Sequence, residues 1–250
     1  MINGPAVCNV FLNGKPADSV YNFSHMIDIL AHRANLDRPD PASENTLAAT
    51  RRALELGFGL ETDLRKDAQN RFYIAHDPQP WSTRNDFAQY ARLFREFSDC
   101  TIAMNVKELG YEAELIALQH DGYLGNRSFY FDFELLEPQT PGRAQRIMRE
   151  LPGGSHAAMA SRLSDRGESL EQCLAIPAAV VWADEFDSLW LTEEHVQAVH
   201  QAGRLFYAIS PELHGFDDPT RLRRWQQFKA WGIDGLCTDY ALSAREFFLR

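Results

Sequence analysis

Two carboxylates one residue apart, Glu61 and Asp63, stand between two histidines, His32 and His76, in the first third of a 250-residue chain. Residues i and i+2 of a strand point to the same face, so Glu61 and Asp63 can offer two anionic oxygens to one cation. Oxygen ligands suit Mg2+ or Ca2+ better than zinc, which recruits His or Cys. His32 and His76 can then serve as acid and base around that cation. Each histidine is followed by a charged residue, Arg33 and Asp77 respectively.

Distant residues of this kind meet only if the fold brings them to one place. Strand-like runs at 27–31, 59–63, 72–75, 102–106, 129–133, 156–160, 179–182, 206–209 and 235–238 alternate with helical patterns at 46–56, 112–119, 141–151, 169–175, 193–202 and 220–231. That alternation reads as a parallel α/β protein. Nine strands are one too many for an eight-stranded barrel. A parallel crossover takes a dozen or more residues, and the link from Asp63 to Phe72 is shorter than that. Residues 64–72 are therefore expected to form a hairpin excursion turning near 67–70 that returns His76 beside Glu61 and Asp63. What remains is a (β/α)8 TIM barrel with a short hairpin excursion after strand 2. In such barrels the reaction centre lies at the C-terminal ends of the strands. His32, Arg33, Glu61, Asp63, Asn105, Lys107, Asp132, Arg162, Trp182, Asp184 and Asp239 all fall at or just after expected strand ends.

A net charge of -10 argues against a nucleic acid partner or an anionic membrane surface, since either needs a basic face. No apolar run reaches the length of a membrane span. Cys8, Cys100, Cys173 and Cys237 are far apart, with no Cys-x-x-Cys pair. They read as free thiols of a reducing compartment, hence a cytoplasmic location. Residues 1–25 lack the basic cluster and sustained apolar run of a secretory leader. They are expected to be a flexible extension ahead of a single domain at 26–250, with Met26 as a candidate translation start. The aromatic residues Trp81, Phe87, Tyr90, Phe94 and Phe97 have roughly helical spacing, which reads as a packed surface helix rather than a lid.

Four short motifs stand in register: Ala31-His32-Arg33, Glu44-Asn45-Thr46, Glu61-Thr62-Asp63 and Ala75-His76-Asp77. Together they resemble the N-terminal signature of the glycerophosphodiester phosphodiesterase family, a relative of the phosphatidylinositol-specific phospholipases C. Gly232-Ile233-Asp234-Gly235-Leu236-Cys237-Thr238-Asp239 resembles that family's closing segment, so the likeness runs from about Met26 to the end. The resemblance implies an eight-stranded barrel and cleavage of a small phosphodiester at one divalent cation, Mg2+ or Ca2+. It divides the proton transfers between His32 and His76, with His32 as base and His76 as acid or the reverse. Arg33 and Lys107 are then clamps for the charge that gathers on the non-bridging oxygens. Glu44 orients its neighbours or the phosphate, while Asn45 and Thr46 either join it or only cap the following helix. The family's third metal-binding carboxylate, two residues before the lysine, corresponds here to the neutral Asn105. An amide oxygen pulls less strongly on Mg2+ or Ca2+, and Asp132 is a candidate to compensate. Trp182 either offers its face to a sugar or quaternary ammonium group or packs in the core. Two alternatives to hydrolysis stay open: a phospholyase that releases a cyclic phosphate, and a phosphodiester or sugar-phosphate binding protein weakened by Asn105.

Overall fold

The computed structural model describes residues 27–125 and 127–249, and the extension expected at 1–25 lies outside the described residues. The order is β1 (Asp28–His32), α1 (Leu47–Glu55), β2 (Gly59–Lys66), β3 (Phe72–Ile74), α2 (Phe87–Glu96), β4 (Ile102–Val106), α3 (Glu112–His120), β5 (Phe129–Phe131), α4 (Phe133–Leu136) and α5 (Arg143–Glu150). It continues with β6 (Ala160–Ser164), α6 (Leu170–Ala175), β7 (Val180–Asp184), α7 (Glu193–Gln201), β8 (Leu205–Ile209), α8 (Asp218–Trp231), β9 (Gly235–Thr238) and α9 (Ala241–Leu249). Neighbouring strands run β5-β4-β2-β1-β9-β8-β7-β6, all in parallel register. A parallel bridge between Tyr130 and Met159 joins the two ends of this path. The result is an eight-stranded (β/α)8 barrel.

β3 stands off the barrel and pairs antiparallel with the extended end of β2, Leu64 opposite Ile74. Asn70 sits at the turn with φ 62°, a left-handed conformation that Asn tolerates better than most residues. This is the expected hairpin excursion. The surface-helix reading holds for Phe87, Tyr90 and Phe94, which α2 buries, with Phe97 at its C-terminal cap, while Trp81 lies ahead of the helix.

Two strands differ from their expected places: β5 ends at Phe131, with Phe133 already in α4, and β6 starts later than expected. Residues 156–158 wind into a 3-10 turn under the Ser155 side chain, and the strand begins at Ala160. The small apolar run Ala157-Ala158-Met159-Ala160 has no alternation to locate a strand. The correction places Arg162 inside the barrel wall rather than beyond its end.

Alternation along each strand divides the core in two. Ala31, Leu60, Met104, Tyr130, Val181 and Phe206 face the helices, while Leu30, Ala103, Phe129, Phe131, Trp182, Tyr207 and Cys237 fill the interior. A Cβ on Gly235 would lie 2.1 Å from the Tyr207 ring, so glycine there makes room for the aromatic plug. The Tyr207 hydroxyl donates to Asp28 at the lower end, at 2.6 Å. With the interior filled from below, only the upper rim is left for chemistry.

Glu134, at the start of α4, is 1% exposed. Burial, with Asp132 adding to it, pushes its carboxyl up to about 7. Its Oε1 accepts from Gln145 Nε2 at 2.7 Å, whereas Glu134 Oε2 and Gln145 Oε1 are buried without hydrogen-bond partners. A proton on Glu134 supplies a donor to a site short of donors. The folded state therefore holds this proton more tightly than the unfolded chain, and stability falls as pH rises from about 4.5 through about 7. Glu134→Gln keeps a neutral group, and its thermal midpoint is expected to overtake that of wild type as pH is raised from 5 to 8. The difference at pH 8 corresponds to about 3 kcal/mol. Parallel midpoint-versus-pH curves for the two proteins would remove this assignment.

Candidate active site

Strands and loops from all around the barrel deliver side chains to the rim. His32 ends β1, and its Nδ1 bonds Asp239, just after β9, at 2.7 Å. Asp239 also accepts from Asn35 at 2.8 Å. The other ring nitrogen, Nε2, lies 3.9 Å from Glu61 of β2. The chain turns sharply past His32, with Arg33 and Ala34 at φ 48° and 68°. That turn lets the Arg33 backbone N–H donate to Glu61 at 3.2 Å. The Arg33 guanidinium donates to Glu44 at 3.1 Å and reaches within 3.5 Å of Asp63.

Asp63 is the electrostatic centre. It is 1% exposed, with Lys107 Nζ 2.8 Å from one oxygen and the Asn45 amide donating to the other at 2.7 Å. Burial alone would raise its pKa, but Lys107, Arg33 and Asn45 together hold the carboxyl below the usual carboxylate range. Glu61 behaves oppositely: burial and the neighbouring Asp63 push it up to about 7. Two buried carboxylates that resist sharing their charge are a place where a cation is electrostatically favoured.

Burial pulls the His32 pKa down, but the Asp239 bond and the charges of Glu61 and Asp239 outweigh it, and the net shift is upward. His76 is lowered, by partial burial and by the charges of Arg33 and Lys107. Its ring lies at the rim with 45% of the side chain exposed. The antiparallel return of β3 places it there, since the preceding residue, Ala75, donates its N–H to the Asp63 carbonyl at 3.1 Å. Asp77 bonds the His76 ring at 3.0 Å. Beyond His76 opens a cleft of about 910 Å3, bordered by Glu44, Asn45, Thr46 and Tyr90.

The donors for a cation were expected to be Glu61, Asp63 and Asn105. Asp63 and Asn105 are register partners on β2 and β4, so their side chains stand side by side, and Glu61 precedes Asp63 on the same face. Asn105 gives its Nδ2 to Asp132 at 2.8 Å, and its Oδ1 is buried with no hydrogen-bond partner. An orphaned carbonyl oxygen beside two carboxylates fits a hard divalent ion. Among the described residues no three His, Cys, Asp or Glu side chains form such a group; the third oxygen here is an amide's.

Trp182 requires a correction. It lies within β7, 2% exposed, with its ring centroid 4.1 Å from that of Phe131 and Phe129 against its edge. Phe131 lies over one face and the whole ring is buried in the barrel interior, so the core reading holds and no face is offered to a substrate. Asn45 had two readings, and the work is divided with its neighbour. Thr46 caps α1, while Asn45, at φ 55°, braces Asp63 and accepts from Thr62 at 2.8 Å.

Several members were not legible. Asn35 follows the His-Arg pair without any pattern that marks it. Arg162 forms ion pairs with both Asp132 and Asp184, and His214, in the turn after β8, bonds Asp184. The strand-end positions of Arg162, Asp132 and Asp184 suggested polar roles, but their mutual pairing depends on barrel closure. Burial pushes the Asp132 carboxyl upward, with Arg162 and Lys107 opposing.

No protein-family model and no curated protein matches the chain. Solved structures do. A glycerophosphoryl diester phosphodiesterase from Parabacteroides distasonis superposes with a TM-score of 0.68 at 12% identity, over 92% of this chain and 88% of that one. A phosphodiesterase from Oleispira antarctica, solved with the product sn-glycerol-3-phosphate, gives 0.60 at 15% identity, over 90% and 98%. A glycerophosphodiester phosphodiesterase from Thermotoga maritima gives 0.58 at 17% identity, over 90% and 99%. The chain has the barrel fold of the glycerophosphodiester phosphodiesterases.

Proposed function

We propose that the chain is a glycerophosphodiester phosphodiesterase that cleaves a small phosphodiester by acid–base catalysis between His32 and His76. The observation that carries this reading is the convergence of His32, Arg33, Glu61, Asp63 and Lys107 on one rim, with the rest of the barrel interior filled.

Arg33 and Lys107 hold the non-bridging phosphate oxygens. Both stand beside Asp63, which keeps them fixed before substrate arrives and so lowers the reorganisation needed in the transition state. An ionised Asp239 has only acceptors, so the neutral His32 ring carries its proton on Nδ1 and presents the Nε2 lone pair to the site. Nε2 takes the proton of the attacking hydroxyl as the new P–O bond forms. The departing alkoxide takes its proton from His76, at the border of the cleft that receives the alcohol. Where the attacking hydroxyl is the substrate's own, water then opens the cyclic phosphate to the phosphomonoester, giving its proton to His76 while His32 returns its proton to the ring oxygen that leaves. A raised pKa makes His32 the stronger base, and a lowered one makes His76 the readier acid. A divalent cation held by Glu61, Asp63 and Asn105 would supply Lewis-acid stabilisation of the phosphoryl oxygens when bound.

Glycerophosphodiesters are the first substrates to test, given the glycerol phosphate bound by the Oleispira relative. Incubation of the chain with glycerophosphodiesters and Mg2+, Ca2+ or Mn2+, followed by phosphorus NMR, is expected to show a phosphomonoester accumulating. A persistent cyclic phosphate would make the enzyme a phospholyase. Turnover absent in wild type but present in Asn105→Glu would instead favour a binding protein, the reading that the neutral third ligand supports.

A further inference from the structure

An amide at a cation site has a right end and a wrong end. Its oxygen is a ligand, whereas its N–H groups are donors that repel a cation and satisfy carboxylates in its place. Asn105 therefore works only if something fixes which way it faces. We propose that Asp132 is the positioning residue that turns the Asn105 oxygen toward Glu61 and Asp63, an inference that rests on the cation reading given above.

Three observations meet here. Asn105 Nδ2 donates to Asp132 Oδ2 at 2.8 Å, and Oδ1 is left buried without a partner. A carboxylate accepts and cannot donate, so the nitrogen must face Asp132 and the oxygen must face away from it. The second observation is the backbone. Phe129 and Phe131 of β5 face the barrel interior and Tyr130 faces the helices; simple alternation would send residue 132 outward with Tyr130. Asp132 instead adopts φ 73°, a left-handed conformation that L-residues other than Gly, Asn and Asp rarely enter, and its carboxylate meets Asn105 inside. The third is the support behind it. Arg162 pairs with the other Asp132 oxygen and with Asp184, and His214 holds Asp184 in turn. Asp132 thus acts through Asn105 and is not itself a ligand.

Binding of Mn2+ to the purified full chain, followed by the electron paramagnetic resonance of the free ion, tests the assignment. Asp132→Asn can donate as well as accept and so lets the Asn105 amide turn over. Its Mn2+ affinity is expected to fall about 10- to 100-fold. The double variant Asn105→Asp/Asp132→Asn is expected to regain that affinity, because a carboxylate has no wrong end and the new amide can donate to it. Wild-type affinity in Asp132→Asn would overturn the proposal. A double variant as weak as Asp132→Asn would also overturn it, leaving Asp132 as a support of the fold. If wild type binds Mn2+ no better than Glu61→Gln does, the cation reading itself fails and this inference falls with it, a pattern distinct from the other two. Wild-type crystals soaked in Mn2+ give a readout that needs no variant. Asn105 Oδ1 is expected among the ligands with Asp132 outside them, and an Asp132 oxygen on the ion would overturn the proposal.

Discussion

His32→Ala is expected to lower kcat by about 10^2- to 10^4-fold, the range that a positioned general base contributes, with little loss of fold. The asymmetry follows from where the ring sits. His32 caps a filled barrel instead of packing within it, with 18% of its side chain exposed. Its removal does not strand Asp239, which still accepts from Asn35 at 2.8 Å. The stability cost should therefore stay below about 2 kcal/mol, the scale of one charge-assisted hydrogen bond. His76→Ala is expected to lose activity on an alkyl phosphodiester to a similar degree. The two variants should part on a nitrophenyl ester, whose leaving group departs without a proton. His76→Ala recovers there if it is the acid, whereas His32→Ala stays slow. Recovery of His32→Ala alone would exchange the roles, and full activity in both variants on alkyl substrates would end the acid–base reading.

Lys107→Met is expected to cost about 10^2- to 10^3-fold in kcat/KM, as removal of one fixed transition-state donor commonly does. The side chain keeps an unbranched apolar stem, one atom shorter, and loses its charge, so the change is mainly electrostatic. A second consequence separates this residue from a passive partner of Asp63. With Lys107 Nζ gone from 2.8 Å, Asp63 remains 1% exposed and depends on Arg33 and Asn45. Removing one partner of a buried pair destabilises by about 3–5 kcal/mol, less here because two partners remain. Steady-state kinetics and thermal unfolding on one preparation read both effects. Unchanged kcat/KM alongside reduced stability would assign Lys107 a structural role only.

Short-range patterning carried most of the architecture. The i, i+2 spacing of Glu61 and Asp63 set them on one strand face wherever that strand lay. The link between Asp63 and Phe72 was too short for a crossover, and that alone required the antiparallel β3. The position of β6 failed for a local reason as well, since Ala157 to Ala160 carries no alternation and the strand proper, from Ala160, turns the charged Arg162 inward. A buried Arg162 contradicts every hydrophobicity pattern, and it is tolerated because Asp132 and Asp184 arrive on either side when the barrel closes.

The chain's own order of residues determined the chemistry available: two imidazoles, an acidic pair, two cations, and an amide where a third carboxylate was expected. Tertiary structure alone decided which of these groups meet and how each is oriented. Asp239 reaches His32 across 207 positions of sequence, Asn45, just ahead of α1, turns to Asp63, and the orientation of Asn105 depends on a left-handed residue just past the next strand. Side-chain periodicity is a local property and survives in sequence. Hydrogen-bond partners across a closed barrel depend on strand order, register and a few unusual backbone angles, and no local pattern records them.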